Sequence, residues 1–443
     1  MMNPKILIKD DLHPEDNAML QALYSRSPKS VTTHLKKVEE VGSGNFLADH
    51  YIGYGHSSIG DCGSTTIFIE GVSMLMAKAI QDNPMYSGQE ASTRYMNWAK
   101  AQFETPGWPS SDQNRDGHPI QQAWLAFYNE AFPQLLEHFR RLSPIDGDDP
   151  AKYERALKAR TFDVLRGFIP AGAHTNLSWH TNLRQAHDKL RMLLVHPDPD
   201  TAELADIICK QLHSKYPHSG FDFPKMGPKE WEYLREVAQE STYAPRAKSV
   251  GAVPYLYVDD FHWNPMGRLK ELVQDRPRGM HLPASTIRCG TITSSFMLDF
   301  GSFRDVQRHR NGYMQMPVLT TGHGFHPWYL QQLPPWLRDK AEILIETQTK
   351  AINELEVTSI ARQSYIAMGF QVFCQMRQTL PAFVYRLELR TAKSVHPTLR
   401  QTTQDEVRMF QALYNDIPIH ADMSPDEWDL RRGSQTILEK GEK

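Results

Sequence analysis

Three consecutive residues, Arg308, His309 and Arg310, place guanidinium groups on both sides of an imidazole. Arginine stays charged and can bind phosphate oxygens through two parallel hydrogen bonds, so the triplet suits a phosphorylated ligand. An isolated triplet of this kind is more often a solvated basic patch or an ion-paired helix end. Its position directly after an apolar strand and helix favours the binding interpretation.

A second polar group follows the pattern Glu90-x-Ser92-x-Arg94-Tyr95. In extended backbone alternate residues face the same side, so a carboxylate, a hydroxyl and a guanidinium would lie together. Such a trio suits a polar ring that carries a phosphate. Ser92 could equally cap the following helix, and the sequence leaves both interpretations open.

Four arginines lie in mostly helical, apolar stretches: Arg166, Arg191, Arg362 and Arg390. A buried arginine is normally paired with a carboxylate or an anionic ligand, because an unpaired buried charge is costly. Structural ion pairing and ligand binding therefore both remain open for each of them. His56 lies in a glycine-rich loop, 53–61, where the backbone can approach a ligand closely. A lone loop histidine is nevertheless more often structural or simply exposed.

The elements that must position these residues follow from local composition. Residues 65–80 begin with β-branched and aromatic residues and continue with helix formers, which predicts a strand followed by a helix. Residues 291–300 predict another strand. Residues 214–255 predict a connector with one short helix inside it, and the charged tail after about residue 425 is expected to fray. Further helices are predicted at 14–40, 120–142, 151–166 and 340–356.

An internal repeat runs through the chain. Asp61-Cys62-Gly63 and Arg288-Cys289-Gly290 each precede a strand-like run and a helix. Later pairs keep the same order: 81–95 with 307–321, 169–172 with 366–369, and 190–197 with 389–397. The shared order predicts a duplication with a first domain at 1–215, a connector at 216–255 and a second domain at 256–443.

Composition excludes several classes of protein. The 443 residues include 40% hydrophobic and 23% charged residues and carry a net charge of −3, which is typical of a soluble globular protein. That charge gives no bulk attraction to nucleic acid or membrane, so neither partner is expected. The four cysteines form no CxxC pair, and no metal site is predicted. Without a secretory signal or an apolar run long enough to span a membrane, the expected location is the cytoplasm.

These residues, in this order, resemble the flavin-dependent thymidylate synthases. That family carries a loop histidine before a strand, an Arg-His-Arg triplet, and then a segment of the form N/Q-E-x-S-x-R-Y. An arginine before Leu-Pro or Ile-Pro, an asparagine and a late Leu-Arg follow. The first half resembles this pattern except at the triplet, where Asp82, Asn83 and Pro84 stand. The second half keeps the triplet but has Met316, Val318 and Thr320 in place of the Glu, Ser and Arg, and lacks the loop histidine near Pro283.

The resemblance implies an α+β fold of two tandem domains, each with a mixed or antiparallel sheet and packed helices. It implies methylation of dUMP to dTMP at composite sites built from both halves, with FAD as cofactor and NADPH and methylenetetrahydrofolate as co-substrates. It also implies a homodimer that imitates the family's tetramer. Two alternatives remain: C5 modification of another pyrimidine nucleotide, and a non-catalytic flavin- or nucleotide-binding paralogue.

The resemblance also implies roles for individual residues. Arg390 would be catalytic, stabilising negative charge that develops on the pyrimidine. Substrate would be bound by Glu90, Ser92, Arg94, Arg166, Arg191 and Arg362. Cofactor would be bound by His56, Ser58, Asn182, Arg308, His309 and Arg310.

Overall fold

The computed structural model describes residues 11–27, 29–53, 56–93, 96, 98–107, 118–145, 149–243, 255–257, 260–265 and 267–425. Over these residues the chain is an α+β protein with two sheets and helices around them, which confirms the predicted class. None of the described helices is both long enough and apolar enough to cross a membrane.

The helices up to residue 243 include the predicted ones. Proline at the first helical turn begins several of them, where its missing N–H leaves no hydrogen bond unmade. The predicted helix at 14–40 is two helices separated by a short turn. The bounds are α1 Pro14–Tyr24, α2 Val31–Val41, α3 Gly44–Phe46, α4 Met74–Gln81, α5 Pro119–Leu142, α6 Pro150–Leu165, α7 Leu183–Leu193, α8 Pro199–Lys215 and α9 Pro228–Tyr243.

The later helices are α10 Arg268–Gln274, α11 Phe300–Val306, α12 Pro327–Gln331, α13 Pro335–Glu354, α14 Ser359–Arg362, α15 Leu380–Arg390 and α16 Pro397–Leu413. Short 3₁₀ turns precede several strands, and the turns at Ser57–Cys62 and Ala284–Cys289 stand at equivalent places in the two halves. The predicted helix at 340–356 is the body of α13. Residues 426–443, where fraying is predicted, lie outside the described part of the chain.

Two sheets carry the polar segments of interest. The first has the order β1-β3-β2, formed by Ser64–Ser73, His174–Asn182 and Ser87–Glu90, with β2 and β3 antiparallel. The second has the order β4-β5-β7-β6, formed by Tyr255–Tyr257, Thr291–Asp299, Gln371–Thr379 and Tyr313–Gln315, and all its neighbours are antiparallel. The predicted change from strand to helix at 65–80 is confirmed as β1 followed directly by α4.

The chain packs as two compact units made of interleaved segments. The first unit comprises Met1–Glu70, Met85–Glu90 and Asn176–Ser241, and the second comprises Gly71–Pro84, Ala91–Thr175 and Thr242–Lys443. A large apolar core of the second unit includes residues from both sequence halves, such as Trp124, Phe168 and Phe370. This division by packing differs from the division by sequence repeat at 1–215, 216–255 and 256–443, which stays a prediction.

The order of elements repeats along the chain. A 3₁₀ turn, a strand and a helix at 57–81 recur at 284–306. A 3₁₀ turn, a nine-residue strand, an 11-residue helix and a 17-residue helix at 166–215 recur at 363–413. Residues 166–215 and 363–413 therefore share the element lengths and the element order expected of duplicated domains.

Backbone hydrogen bonds inside the second unit repeat the same relation. Ala171 donates to the carbonyl of Ile366 at 2.8 Å, and Met368 donates to the carbonyl of Ile169 at 2.8 Å. In these two hydrogen bonds equivalent residues of the two halves exchange the roles of donor and acceptor, as residues at the interface of a two-fold symmetric dimer do. The segments 169–172 and 366–369, which the sequence repeat pairs, therefore contact each other about a local pseudo-two-fold axis.

The repeat also fixes the register of the matching helices α7 and α15. Both have 11 residues and both follow a nine-residue strand, so their last residues, Leu193 and Arg390, are equivalent. Glu388 then corresponds to Arg191. The match of Leu190-Arg191 with Leu389-Arg390 seen in the sequence is therefore out of register, because it aligns similar letters instead of helix ends.

Candidate functional site

The Arg308-His309-Arg310 triplet follows the C-terminal end of α11. This helix begins at Asp299, whose carboxylate accepts a hydrogen bond from the backbone N–H of Ser302 at 2.7 Å and so caps it. Exposed carbonyls give a helix C-terminus a partial negative charge, which favours cations there. A capped, buried helix thus holds the triplet at one place in the second unit.

Asp305, on the last turn of α11, connects three of the predicted site arginines. Its carboxylate lies 3.8 Å from a guanidinium nitrogen of Arg166 and 3.8 Å from one of Arg308. Its backbone carbonyl accepts a hydrogen bond from Arg390 Nη2 at 2.6 Å. The structure therefore brings Arg166, Arg308 and Arg390 together, with residues from both halves of the sequence in one cluster.

His309 completes this cluster as a hydrogen-bond acceptor. Arg390 Nε donates to His309 Nε2 at 2.7 Å, so the imidazole carries its proton on the other nitrogen. Burial, followed by the charges of Arg390, Arg386 and Arg308, lowers the pKa of His309 to about 2. His309 is accordingly neutral at physiological pH and orients Arg390.

Arg166 lies in a buried polar network and is only 6% exposed. Its Nη2 donates to the hydroxyl of Ser302 at 2.9 Å. Nearby, the Asp299 carboxylate accepts from Tyr329 at 2.9 Å and from Thr398 at 2.6 Å. Arg166 Nη2 thus has a protein partner, whereas Arg166 Nε is buried without a hydrogen bond, and the predicted contact of Arg166 with a substrate phosphate stays a prediction.

A cavity of about 290 Å³ lies beside the cluster. The ring of Tyr385, which lines it, is 6.0 Å from that of His309 and 5.0 Å from that of His281. Apolar and aromatic walls with a few polar groups are typical of small-molecule pockets. The lining residues are Arg276, Arg278, Gly279, Met280, His281, Leu282, Pro381, Val384, Tyr385, Glu388, Leu389 and His420.

The first unit has a comparable cavity of about 320 Å³ on the equivalent face of α7. The ring of His187 lies 4.5 Å from that of Phe223. A hydrogen bond from His187 lowers the pKa of Asp188, and Arg191 approaches the same carboxylate at 3.3 Å. The lining residues are Tyr51, Ile52, Ser57, Arg184, His187, Asp188, Arg191, Gly220, Phe223, Pro224, Lys225 and Met226.

Three predicted cofactor residues lie near the ends of elements in the first unit. His56 and Ser58 are exposed at the start of the 3₁₀ turn Ser57–Cys62, and Ser57 between them lines the cavity. Asn182 caps α7, and its side-chain oxygen accepts from the backbone N–H of Gln185 at 2.8 Å. Their contact with a cofactor stays a prediction.

The predicted substrate segment is described only in part. Glu90 is the last residue of β2, is partly buried and pairs with Leu177 of β3. Ser92 is partly exposed, and Arg94 lies outside the described residues. The predicted grouping of these three side chains is therefore untested.

Arg362 is bound to the loop that follows α13. Arg362 donates to the carbonyls of Leu355 at 2.9 Å and Val357 at 3.4 Å, just after α13. This bonding stabilises the loop between α13 and α14. Arg310 is partly exposed.

Sequence reasoning missed Asp305 and Tyr385. A carboxylate three residues before Arg308 on a helix is a recognisable ion-pair spacing and could have identified Asp305. Tyr385 had no local signal, since only the packing of α15 brings it near His309.

Comparison with known proteins finds one family and several relatives. Residues 7–218, just under half of the chain, match the family model described as thymidylate synthase complementing protein. A UPF0159 protein of Chlamydia pneumoniae is 24% identical over 80% of this chain and 76% of its own length. UPF0159 proteins of Chlamydia muridarum (24% identical, 87% and 82% covered) and Thermoplasma acidophilum (21% identical, 90% and 92% covered) also align. These alignments reach well beyond residue 218, so the relatives share most of both halves.

Proposed function

We propose that this chain, whose residues 7–218 match the model of the thymidylate synthase complementing protein family, is a flavin-dependent enzyme that methylates dUMP to dTMP. Methylenetetrahydrofolate would donate the carbon and NADPH the electrons. The observation that carries the proposal is the cluster at Asp305. It joins Arg166 of the first sequence half to Arg308 and Arg390 of the second.

The residues present fit a flavin dinucleotide. Arg308 and Arg310 supply guanidinium groups for a pyrophosphate at the end of α11. The neighbouring cavity offers the rings of Tyr385 and His281 to a flat ring system. When bound, FAD would supply hydride-transfer chemistry, and the protein supplies binding, orientation and electrostatics.

Arg390 would act on the substrate through its charge. Hydrogen bonds to His309 and to the Asp305 carbonyl hold its guanidinium in one orientation. A preorganised cation stabilises negative charge that develops on a pyrimidine ring without reorganising during the reaction. His309 would not act as a general base, since its low pKa makes it a poor proton acceptor.

Binding of dUMP would use the segment around Glu90, with Ser92 and Arg94, and the arginines Arg166, Arg191 and Arg362. Since no side chain is required as a nucleophile in this chemistry, Ser92 would bind substrate and not attack it. His56, Ser58 and Asn182 would contact the cofactor from the first half. Each of these roles remains a proposal.

A second function has one observation in its favour. Asp82, Asn83 and Pro84 replace the basic triplet in the first half, which suits a chain that has changed its substrate or lost turnover. The proposed enzyme and a non-catalytic paralogue differ in whether the protein consumes NADPH. An enzyme of the first kind consumes NADPH only with dUMP and folate, whereas a binding paralogue holds flavin or nucleotide without turnover.

The absorbance spectrum of the purified protein, followed by tritium release from labelled dUMP, tests the proposal. Arg308→Ala should lose flavin, because it removes a phosphate-binding cation beside Asp305. Arg94→Ala should keep flavin and weaken nucleotide binding. Arg268→Ala, which removes an exposed arginine that pairs with Glu271 on α10, is the matched control and should change neither. Colourless wild-type protein that acquires no flavin absorbance from added FAD would refute the proposal.

A further inference from the structure

Asp82 stands where the second half has Arg308. β1 and β5 are followed directly by the helices α4 and α11, which begin after Ser73 and Asp299, and counting along both helices makes Asp82 and Arg308 equivalent. The first half thus carries a carboxylate at the position that carries a guanidinium in the second. Sequence alone makes this difference look like decay.

The structure shows the Asp82 carboxylate engaged with the segment that leads into the basic triplet. Gln307, the residue before Arg308, donates its side-chain amide to the Asp82 carboxylate. The same amide nitrogen donates to the carbonyl of Lys78 at 3.0 Å, and Lys78 Nζ bonds the Asp82 carboxylate at 2.5 Å. These contacts tie the end of α4 to the end of α11 inside the second unit.

The hydrogen bond between Gln307 and Asp82 is important because Gln307 is buried. Gln307 is only 4% exposed, so an N–H of its amide that loses its acceptor has little access to water. Lys78 adds a second contact, since its ammonium lies 5.6 Å from the ring centroid of Phe303 on α11. An arginine in place of Asp82 would put a donor against the Gln307 donor and a like charge beside Lys78.

We propose that Asp82 is a positioning residue, which fixes the backbone entering Arg308 through its bond to Gln307. Replacement of the basic triplet in the first half therefore supports the triplet that remains in the second. The consequence for flavin binding rests on the proposed function, whereas the consequence for the order of residues 307–310 does not.

Full-length Asp82→Ala, Asp82→Asn and Lys78→Ala variants test this. Hydrogen exchange of the backbone at 307–310, measured by mass spectrometry, should speed up about tenfold in Asp82→Ala and change little in Asp82→Asn, whose side-chain oxygen still accepts from Gln307. Lys78→Ala removes a partner of Asp82 but leaves the Gln307 bond, so it should resemble Asp82→Asn. The dissociation constant for FAD should rise about tenfold in Asp82→Ala only.

Each result decides between the alternatives. Unchanged exchange at 307–310 in Asp82→Ala overturns the proposal. An Asp82→Asn variant as impaired as Asp82→Ala also overturns it, because the charge and not the bond to Gln307 would then be responsible. If wild-type protein binds no FAD at all, the proposed function fails, and the exchange rates still decide the role of Asp82.

Discussion

At the scale of single residues, the pair of His309 and Arg390 has a consequence for pH dependence. The folded protein holds the pKa of His309 near about 2, whereas an unfolded chain has a histidine pKa of roughly 6.5. Both states are neutral above that value, so the native interactions are fully present there. Below the unfolded-state pKa the unfolded chain binds a proton at His309 and the folded protein does not. The free energy of unfolding therefore falls as pH falls.

We therefore expect wild type to lose about 2 kcal/mol of unfolding free energy between pH 7 and pH 5 relative to His309→Gln. Glutamine can accept from Arg390 but cannot titrate, so it isolates the histidine contribution. Urea unfolding of both proteins at the two pH values measures the difference. A gap between them that stays constant with pH would mean that the folded protein takes up a proton at His309 as readily as the unfolded chain does.

Residue types and spacing predicted part of the cluster and missed the rest for a physical reason. Arg166, Arg308, His309 and Arg390 were all singled out, because charged and planar groups in apolar stretches are conspicuous. Their common contact Asp305 was not, since an acidic residue on a helix usually faces water. The chemistry of a site is visible in single residues, whereas its geometry depends on how separate elements pack.

At the scale of elements, the change from β1 to α4 could be predicted from the sequence, because β-branched residues are followed by helix formers at one point. The register of α7 against α15 was not, because Leu-Arg occurs in both helices at different distances from the end. Helix ends are fixed by caps such as Asn182, whose role depends on the local backbone. A short repeat of letters therefore predicted the duplication but misassigned the equivalent of Arg390.

The strand β2 offers a test of whether Glu90 depends on its sheet. A Cβ added to Gly88 would lie 1.9 Å from the carbonyl oxygen of Ser178 on β3, a backbone atom that cannot move aside cheaply. We expect Gly88→Ala to disrupt the pairing of β2 and to weaken nucleotide binding about tenfold or more, while flavin remains bound. Fluorescence titration with dUMP and the flavin spectrum measure the two effects.

Gly322→Ala is the matched control, since the nearest atom to its added Cβ is the Thr320 hydroxyl at 3.5 Å, an ordinary contact. It should bind both ligands as wild type does. Equal nucleotide affinity in Gly88→Ala and wild type would separate the Glu90 segment from the substrate site.

Helix α15, which carries Arg390, is held by an ion pair that can be tested alone. Arg386 donates to both oxygens of Glu406 on α16 at 2.7 and 2.9 Å, and both side chains are almost fully buried. Removing one partner leaves an uncompensated buried charge, so Glu406→Ala should cost about 3–5 kcal/mol of unfolding free energy. Glu130→Ala breaks the exposed pair with Lys340 and should cost little. Chemical denaturation compares them, and equal losses would contradict this assignment.

At the scale of the whole molecule, the two halves repeat one pattern of elements but differ in charge at matching positions. The second half has Arg308 where the first has Asp82, and it has Glu388 where the first has Arg191. A symmetric homo-oligomer must repeat every substitution in every subunit, whereas a fused duplicate can change one copy alone. Fusion thus lets the two halves diverge position by position, and the second half keeps a cation at Arg308 while the first half keeps one at Arg191.

This asymmetry predicts the stoichiometry of the assembly. FAD carries a pyrophosphate that needs cations, and the first half has no guanidinium at position 82, where the second half has Arg308, so we expect one flavin per chain although the pattern of elements is repeated. We also expect a homodimer, whose four halves take the places of four subunits. Light scattering after gel filtration should give twice the chain mass of 50.9 kDa, and the flavin absorbance of FAD-saturated protein should equal one cofactor for each chain. Two flavins per chain would show that the half with Asp82 still binds the cofactor, and a monomer that turns over dUMP would show that one chain holds a complete site.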